Sequence, residues 1–254
     1  VAQMNIDPAF TASAYYRMGM IYANKLKDMQ NASMMFDALI KGFSDSKDAN
    51  IQAMVSDASV RLSDIYYKQG DLEKAITEAE RIAGLVLSSP KSSMLQKVQA
   101  QYQVGYLYSQ LARKYYEQEG GNTPGTEAYN NYTDAARKSA AAYAKVAELI
   151  HPVETAPKEA IKFLRFALFQ AGQTYYALGY TKDHQAARPL LENYVKYADQ
   201  GLFGDPKTDN ELKKELQAAM SYLGTVYFQL ARVNQLNMAL FAKCAQAVSY
   251  THLT

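Results

Sequence analysis

The sequence contains no tryptophan, one cysteine and no surplus of either charge. The single cysteine, Cys244, excludes a disulfide within the chain and a zinc site built from several cysteines. Lys and Arg number 27 and Asp and Glu 25, a balance that argues against a nucleic-acid-binding protein, which usually has a clear basic surplus. The same balance gives no sign of attraction to an anionic membrane surface.

Long apolar runs and proline are also scarce. No uninterrupted apolar run approaches the roughly 20 residues that a membrane-spanning helix needs. The chain has 7 prolines, and Pro90, Pro152, Pro157 and Pro206 stand between segments with helical periodicity. Since few stretches alternate with a period of two, no strand is expected and the chain is predicted to be all-α.

Residue patterns typical of catalysis or of cofactor binding are missing from the sequence. It has no His-x-x-x-His pair, no Gly-x-Ser-x-Gly turn and no glycine-rich phosphate loop. His151, His184 and His252 lie far apart and lack the spacing of metal ligands. We interpret His184, next to Asp183, as a capping or surface residue. We therefore predict no catalytic residue, no metal site and no cofactor.

One short pattern recurs five times along the chain. A small residue follows an apolar one, and a tyrosine stands three positions later. Positions three and four apart share one face of a helix, so the small residue lets a second helix approach and the tyrosine fills the space beside that contact. We expect these tyrosines to be buried between helices. The five pairs are Gly19 and Tyr22, Ser63 and Tyr66, Gly105 and Tyr108, Gly172 and Tyr175, and Gly224 and Tyr227.

Each pattern is followed by a turn and then by a second helix with an apolar stripe. In these second helices a small residue precedes a core residue by four positions, as in Ala32 and Phe36, and Ala75 opens the same motif in the next repeat. A helix followed by a turn and a second helix predicts a hairpin. The predicted hairpins cover residues 9–44, 47–87, 91–150, 158–200 and 209–247.

These motifs resemble the tetratricopeptide repeat (TPR) family. The segment from Tyr66 to Ala75 is most similar to the junction between the two helices of a family repeat. The resemblance covers about residues 9–245 and implies one TPR-like domain, a right-handed superhelical solenoid of about five antiparallel helix hairpins. The spacing of the patterns exceeds the family period of about 34 residues, so longer helices or connections are expected.

A narrower resemblance concerns the segment from Phe36 to Ala49, which is similar to repeats of bacterial cell-envelope TPR proteins. These include the outer-membrane assembly lipoproteins and the Tol–Pal-associated periplasmic proteins. A periplasmic or cell-envelope location is the expectation, with the cytoplasm as the alternative. The first residue is Val1, so we expect any signal peptide to have stood upstream. Residues 248–254 are expected to be a non-native tail, because 249–254 resemble a translated sequencing adapter.

The family resemblance implies that the first helices of the hairpins line a concave groove that binds a partner peptide. Aromatic and methionine side chains are enriched at protein interfaces. Two alternatives remain open for the groove residues: ordinary packing against the next hairpin, and binding of a small molecule in an apolar pocket. The residues at the groove offsets are Tyr16, Met20, Tyr67, Tyr102, Tyr106, Phe169, Tyr176 and Phe228.

The function predicted from the sequence is a non-catalytic scaffold that presents this aromatic groove to a protein or peptide. The alternative is a structural module whose terminal hairpins stack between copies of the chain, which would form a homo-oligomer. The first hypothesis predicts clustered aromatics on the groove face, and the second predicts apolar surface at the terminal hairpins. An enzyme would require converging carboxylates, or His184 beside a partner acid. Neither a nucleic acid nor a membrane span is expected.

Overall fold

A computed structural model describes residues 7–90, 92–233 and 243 of the chain. Within these residues the fold consists of nine α-helices, two short helical turns and no strand. The helices follow one another as hairpins, so the prediction of an all-α, TPR-like fold is confirmed. The chain divides into two compact units, one ending at Ser92 and the other beginning at Ser93.

The first unit contains two helical hairpins. Helix α1 (Pro8–Ile21) continues into a π-helical turn (Tyr22–Leu26) and packs against α2 (Met29–Phe43). The second hairpin is formed by α3 (Ala49–Lys68) and α4 (Leu72–Ser88). Helix α3 also contacts α1 and α2, and Phe36, Leu39, Val55 and Leu62 are among the buried apolar side chains of this core.

The second unit contains two complete hairpins and the first helix of another. Helix α5 packs against α6, α7 against α8, and α8 against α9. The first helices α5, α7 and α9 also contact one another in that order, which places them side by side on one face of the unit. Their bounds are α5 (Met94–Tyr116), α6 (Glu127–Leu149), α7 (Lys158–Leu178), α8 (Thr181–Asp199) and α9 (Asn210–Val233).

Capping side chains fix where most helices begin. Asp28 Oδ1 accepts a hydrogen bond of 3.0 Å from the backbone N–H of Asn31, and Asp71 Oδ1 caps α4 in the same way. At α5, Ser93 and Gln96 form a reciprocal capping box. Each such cap satisfies a backbone N–H that lacks a partner inside the helix and is worth about 1 kcal/mol.

Glycines in the left-handed conformation end two of the helices. Gly70 has φ of 80° in the turn between α3 and α4, and Gly179 has φ of 74° directly after α7. A side chain at either position would be strained in this conformation. The turns that these glycines permit are short enough to make consecutive helices neighbours.

For the four hairpins that the structure describes in full, the predicted bounds lie within a few residues of the observed helix ends. The largest difference is at α5, which begins at Met94 instead of residue 91 because Ser93 is its N-cap. The second half of the last predicted hairpin, residues 234–247, lies outside the described residues apart from Lys243, and so does the 248–254 tail. Cys244 is among the residues that are not described. The single-domain organisation over 9–245 stays a prediction.

Candidate partner-binding face

The small residue of the recurring pattern gives the two helices of a hairpin their close contact. A Cβ atom placed on Gly19 would lie 2.5 Å from Cε1 of Phe36, and one placed on Gly105 would lie 2.7 Å from Cδ1 of Tyr143. Both distances are far below van der Waals contact, so only a glycine fits against each ring. The aromatic ring therefore packs directly on the backbone of the first helix.

The other two complete hairpins vary this contact. A Cβ atom on Gly172 would lie 2.6 Å from Cδ2 of Leu191, so an aliphatic side chain replaces the ring. In the second hairpin the first helix has the larger residue, Ser63, whose Oγ donates a buried hydrogen bond of 2.9 Å to the carbonyl of Ala75. The position equivalent to Phe36 is Ala79, which is also buried. A larger residue on one helix thus coincides with a smaller one on the other.

The tyrosines of the pattern are less buried than predicted. Tyr227 is 5% exposed, but Tyr22, Tyr66, Tyr108 and Tyr175 each remain partly exposed. The sequence analysis expected all five to be buried between helices, and these four instead keep accessible surface. In two of the hairpins a lysine from the second helix covers the exposed ring: Nζ of Lys74 lies 5.5 Å from the Tyr66 ring centre, and Nζ of Lys138 lies 5.7 Å from that of Tyr108. These rings therefore pack beside the hairpin contact and keep part of their surface accessible.

Most of the other residues that the sequence assigned to the repeat core are buried. The residues that the sequence assigned to the repeat core and that the structure buries are Gly19, Ala32, Phe36, Ser63, Ala75, Gly105, Gly172, Gly224 and Tyr227.

An aromatic cluster joins α5 to α7 on the first-helix face of the second unit. The ring centre of Tyr102 lies 4.9 Å from that of Phe163, 5.4 Å from that of Phe166 and 5.4 Å from that of Tyr143. Burial raises the pKa of Tyr102 above its ordinary value. Phe166 remains 39% exposed, so the cluster is packed on one side and open to solvent on the other.

A second aromatic cluster joins α7 to α9. Tyr176 stacks on Tyr222 with ring centres 4.5 Å apart and planes 23° apart. Phe169 lies deeper, 9% exposed, against Tyr194 and Tyr222. Offset and tilted ring pairs of this kind add about 0.5–1.5 kcal/mol to the burial of their area. They hold neighbouring first helices together.

The eight predicted groove residues therefore differ in how much surface they offer. Phe169 is buried, Phe228 is 42% exposed, and Tyr16, Met20, Tyr67, Tyr102, Tyr106 and Tyr176 are partly exposed. Tyr102 and Tyr176 pack against the next first helix, which is the alternative that the sequence left open, and both still keep accessible surface. Phe169 cannot offer a partner much area. The groove assignment itself stays a prediction.

The first-helix face of the first unit is organised by charge. The hydroxyl of Tyr16 donates a hydrogen bond of 2.6 Å to Oδ2 of Asp57, and Nε of Arg61 donates one of 2.6 Å to the same oxygen. Burial and the hydrogen bond to Asp57 raise the pKa of Tyr16. The predicted groove residue Tyr16 is therefore bonded to α3, and the charged side chains of Asp57 and Arg61 lie beside it.

Sequence reasoning missed an ion pair between α6 and α8. Nε and Nη2 of Arg137 bind the two carboxylate oxygens of Asp183, which is 2% exposed. His184 beside it is 6% exposed, with its ring centre 6.3 Å from that of Tyr176, so its assignment as a surface or capping residue is wrong. The physical reason is that α8 begins at Thr181, which places both residues inside its first turn against α6 and α7.

A second missed network lies beside a cleft in the second unit. Arg165 donates to Glu215 at 2.8 Å and to Asp209 at 3.0 Å, and the Tyr194 hydroxyl donates to Glu215 at 2.6 Å. Burial and the bond to Glu215 raise the pKa of Tyr194. The cleft measures about 1010 Å³ and is lined by apolar residues such as Phe203 together with acids and bases. Because the partners stand 21 to 50 positions apart, no local pattern signals them.

Two kinds of feature are missing from the part of the chain that the structure describes. In 7–90, 92–233 and 243, no group of three or more His, Cys, Asp or Glu side chains is arranged to hold a metal ion. No helix in that part of the chain is both long and apolar enough to cross a bilayer.

Each unit thus consists of helical hairpins, and within each unit the first helices contact one another. Against known families, the tetratricopeptide repeat profile matches residues 13–46. This stretch covers most of α1 and all of α2, so the match supports, for the first hairpin, the resemblance indicated by the sequence motifs.

Comparison with solved structures gives similar chains at low identity. A protein of nearly identical TPR-like repeats from Podosopora anserina shares 13% sequence identity with this chain. The match has a TM-score of 0.41 and covers 98% of this chain and 100% of the other. The assembly chaperone of RpL4 is 12% identical with a TM-score of 0.30, covering 96% of both chains. BtubC from P. vanneervenii is 13% identical to this chain with a TM-score of 0.28, and the match covers 98% of this chain and 93% of BtubC. No curated protein matches the chain significantly.

Proposed function

We propose that this chain is a non-catalytic scaffold that binds a partner protein along the face formed by α5, α7 and α9. The single observation that supports this proposal most is the run of partly exposed aromatic side chains along that face. Tyr102, Tyr106 and Tyr176 are partly exposed, and Phe166 and Phe228 are 39% and 42% exposed. Aromatic rings offer a large contact area at a low cost in side-chain entropy, and they dominate binding energy at protein interfaces.

The way in which these rings are held also favours binding. Tyr102 is fixed by Phe163 and Tyr176 by Tyr222, so each ring occupies one orientation before a partner arrives. A side chain that is already ordered loses little conformational freedom on binding. The face therefore combines exposed area with preorganisation, which a mere packing surface does not require.

The proposal is tested by comparing the proteins that the immobilised chain recovers from cells of its source organism. Phe228→Ala, Tyr106→Ala and Tyr176→Ala should each reduce recovery of the same partner about tenfold or more, since a central aromatic contact is worth about 2 kcal/mol. The matched control is Tyr116→Ala, which removes a 51% exposed ring from the last turn of α5. Equal recovery of every protein by all four variants would overturn the proposal.

A second candidate function, self-assembly through the first hairpin, is favoured by a separate observation. Large apolar side chains are exposed on α1, the π-helical turn and α2: Phe10 is 71% exposed, Leu26 is 62% and Met34 is 56%. Where exposed apolar side chains form one contiguous patch, that patch is typical of a protein-binding surface. Sedimentation of the intact chain and of Leu26→Lys with Met34→Lys tests this candidate. A larger assembly that the two lysines dissociate would support it, and a monomer in both samples would exclude it.

The cellular setting that we propose is the bacterial envelope. Its support is the resemblance of the segment from Phe36 to Ala49 to envelope TPR repeats. Fractionation of cells that produce the complete gene product is the direct test. Recovery with the periplasm or membranes is expected, and recovery only with the cytosol would contradict the proposal.

A further inference from the structure

The first helices of the second unit are uncharged over most of their length. No Asp, Glu, Lys or Arg occurs in residues 98–112 of α5, in 166–178 of α7 or in 216–231 of α9. A helix that exposes one face to water normally has charged residues on it. These three helices expose a face and leave it without charge.

The second helices of the same unit behave as surface helices normally do. Helix α6 has Asp134, Arg137, Lys138 and Lys145, and its longest uncharged stretches are 128–133 and 139–144. In α8 a charged residue recurs at about every turn. The lack of charge is therefore a property of the first-helix face and not of the unit's composition.

Neutral polar side chains occupy the exposed positions of that face in register. The glycine of the recurring pattern is Gly105 in α5, Gly172 in α7 and Gly224 in α9. Two positions before these glycines the chain has Gln103, Gln170 and Tyr222, all partly exposed. One position after them stand Tyr106, Gln173 and Thr225, which are also partly exposed. Nε2 of Gln173 donates a hydrogen bond of 3.1 Å to the hydroxyl of Tyr222, which shows that the rows from α7 and α9 meet.

We propose that the partner contacts this face through an uncharged, extended peptide segment; this inference rests on the proposed function. An ionised side chain buried against these uncharged stretches would lose its water and find no opposite charge among their residues, a loss of several kcal/mol. The face therefore selects against charged segments. Arg232 lies at the α9 end of the face, over the Phe228 ring. Carboxamides have both donors and acceptors, the complement of a peptide bond, so the glutamines can pair with backbone groups of the ligand.

The extended conformation follows from the same chemistry. A helical ligand already uses its own N–H and C=O groups internally, whereas an extended one presents them to side chains. Its apolar or aromatic side chains would pack among Tyr102, Tyr106 and Tyr176. The first-helix face of the first unit differs, because the charged residues Asp57 and Arg61 of α3 lie on it beside Tyr16.

The test uses a library of random peptides displayed on phage, selected on the intact purified chain. Selected peptides should contain fewer Asp, Glu, Lys and Arg residues than the unselected library. Their Kd should change less than about twofold between low and high salt, because no ion pair is screened. Gln170→Glu and Gln170→Lys should both weaken binding, each by about tenfold, since either charge would be buried without a partner.

Matched controls and a second position separate binding from folding. Gln185, exposed on α8, is changed to Glu and to Lys, and both variants should bind like the original chain. Gln103→Glu and Gln103→Lys repeat the test on α5 if the Gln170 variants melt early. Peptides enriched in one sign of charge, or a Gln170 variant of one sign that binds more tightly, would overturn the inference while leaving the proposed function intact. Selection of no peptide whose binding depends on Tyr176 would overturn both.

Discussion

Arg137 of α6 donates two hydrogen bonds, each 3.0 Å long, to the two carboxylate oxygens of Asp183 of α8. The Asp183 side chain is only 3% exposed, and the Arg137 side chain is 28% exposed. Asp183→Ala would leave a largely buried guanidinium without its partner. We expect the free energy of unfolding to fall by about 3 kcal/mol, as measured by urea denaturation.

An exposed ion pair one turn away provides the control. Asp134 and Lys138 on α6 are 2.9 Å apart, with side chains 66% and 52% exposed. Solvent screens such a pair, so Asp134→Ala should change stability by no more than about 0.5 kcal/mol. If the two alanine variants were equally destabilised, the role assigned to burial would be wrong.

Gly105→Ala tests the close contact inside the third hairpin. The new methyl group would stand 2.7 Å from the Tyr143 ring, which is itself only 2% exposed and has little room to move. We expect a loss of about 1–3 kcal/mol in the free energy of unfolding. Gly84→Ala is the matched change, because its Cβ would meet nothing within 4 Å. There the better helix propensity of alanine should stabilise the protein by about 0.5–1 kcal/mol, and a loss there would refute the steric explanation.

The second hairpin uses a hydrogen bond where the others use a glycine. Ser63→Ala removes the buried bond from Oγ to the carbonyl of Ala75 and should lower the unfolding free energy by about 1 kcal/mol. Ser33→Ala removes an exposed local bond to the carbonyl of Gln30 and should be nearly neutral. Thermal or urea denaturation of both variants distinguishes them, and an equally neutral Ser63→Ala would count against a structural role for the buried hydroxyl.

Alkaline pH should destabilise the protein in part through Tyr143. Burial raises the pKa of its phenol, whereas the unfolded chain ionises near pH 10. The neutral form is favoured in the folded state, so this contribution to stability is complete below about pH 10 and is lost as the pH rises above that value. Tyr143→Phe should therefore lose less stability between about pH 9 and pH 11 than the original chain. Parallel urea titrations at both values test this, and identical slopes would contradict it.

Much of the fold could be predicted because its signals are local. The pairs Gly19 with Tyr22 and Gly105 with Tyr108 lie one turn apart on a helix, and Gly70 with Asp71 marks a turn within two residues. Such patterns depend on neighbours along the chain. They predicted helical hairpins, but the start of α5 at Met94 depends on which serine accepts the capping bond.

The candidate site was predictable only in part. Which tyrosines belong to first helices followed from spacing, but the stacking of Tyr176 on Tyr222 depends on how two hairpins pack. The partners Arg137 and Asp183 are 46 positions apart, a separation to which no periodicity applies. The uncharged stretch 166–178 of α7, by contrast, can be read directly from the sequence and would have indicated the neutral face without coordinates.

The second hairpin has a larger residue on its first helix and a smaller one on its second helix than the first hairpin has. This difference shows how substitutions at the two contact positions depend on each other. Where one hairpin pairs Gly19 with Phe36, another has Ser63 and Ala79 at the same two positions. Replacing only the glycine would clash with the ring, and replacing only the ring would leave a void, so an ancestor passing from one pairing to the other crosses a less stable intermediate. The two positions are therefore coupled in their effect on stability, and the residue that one of them tolerates depends on the residue at the other.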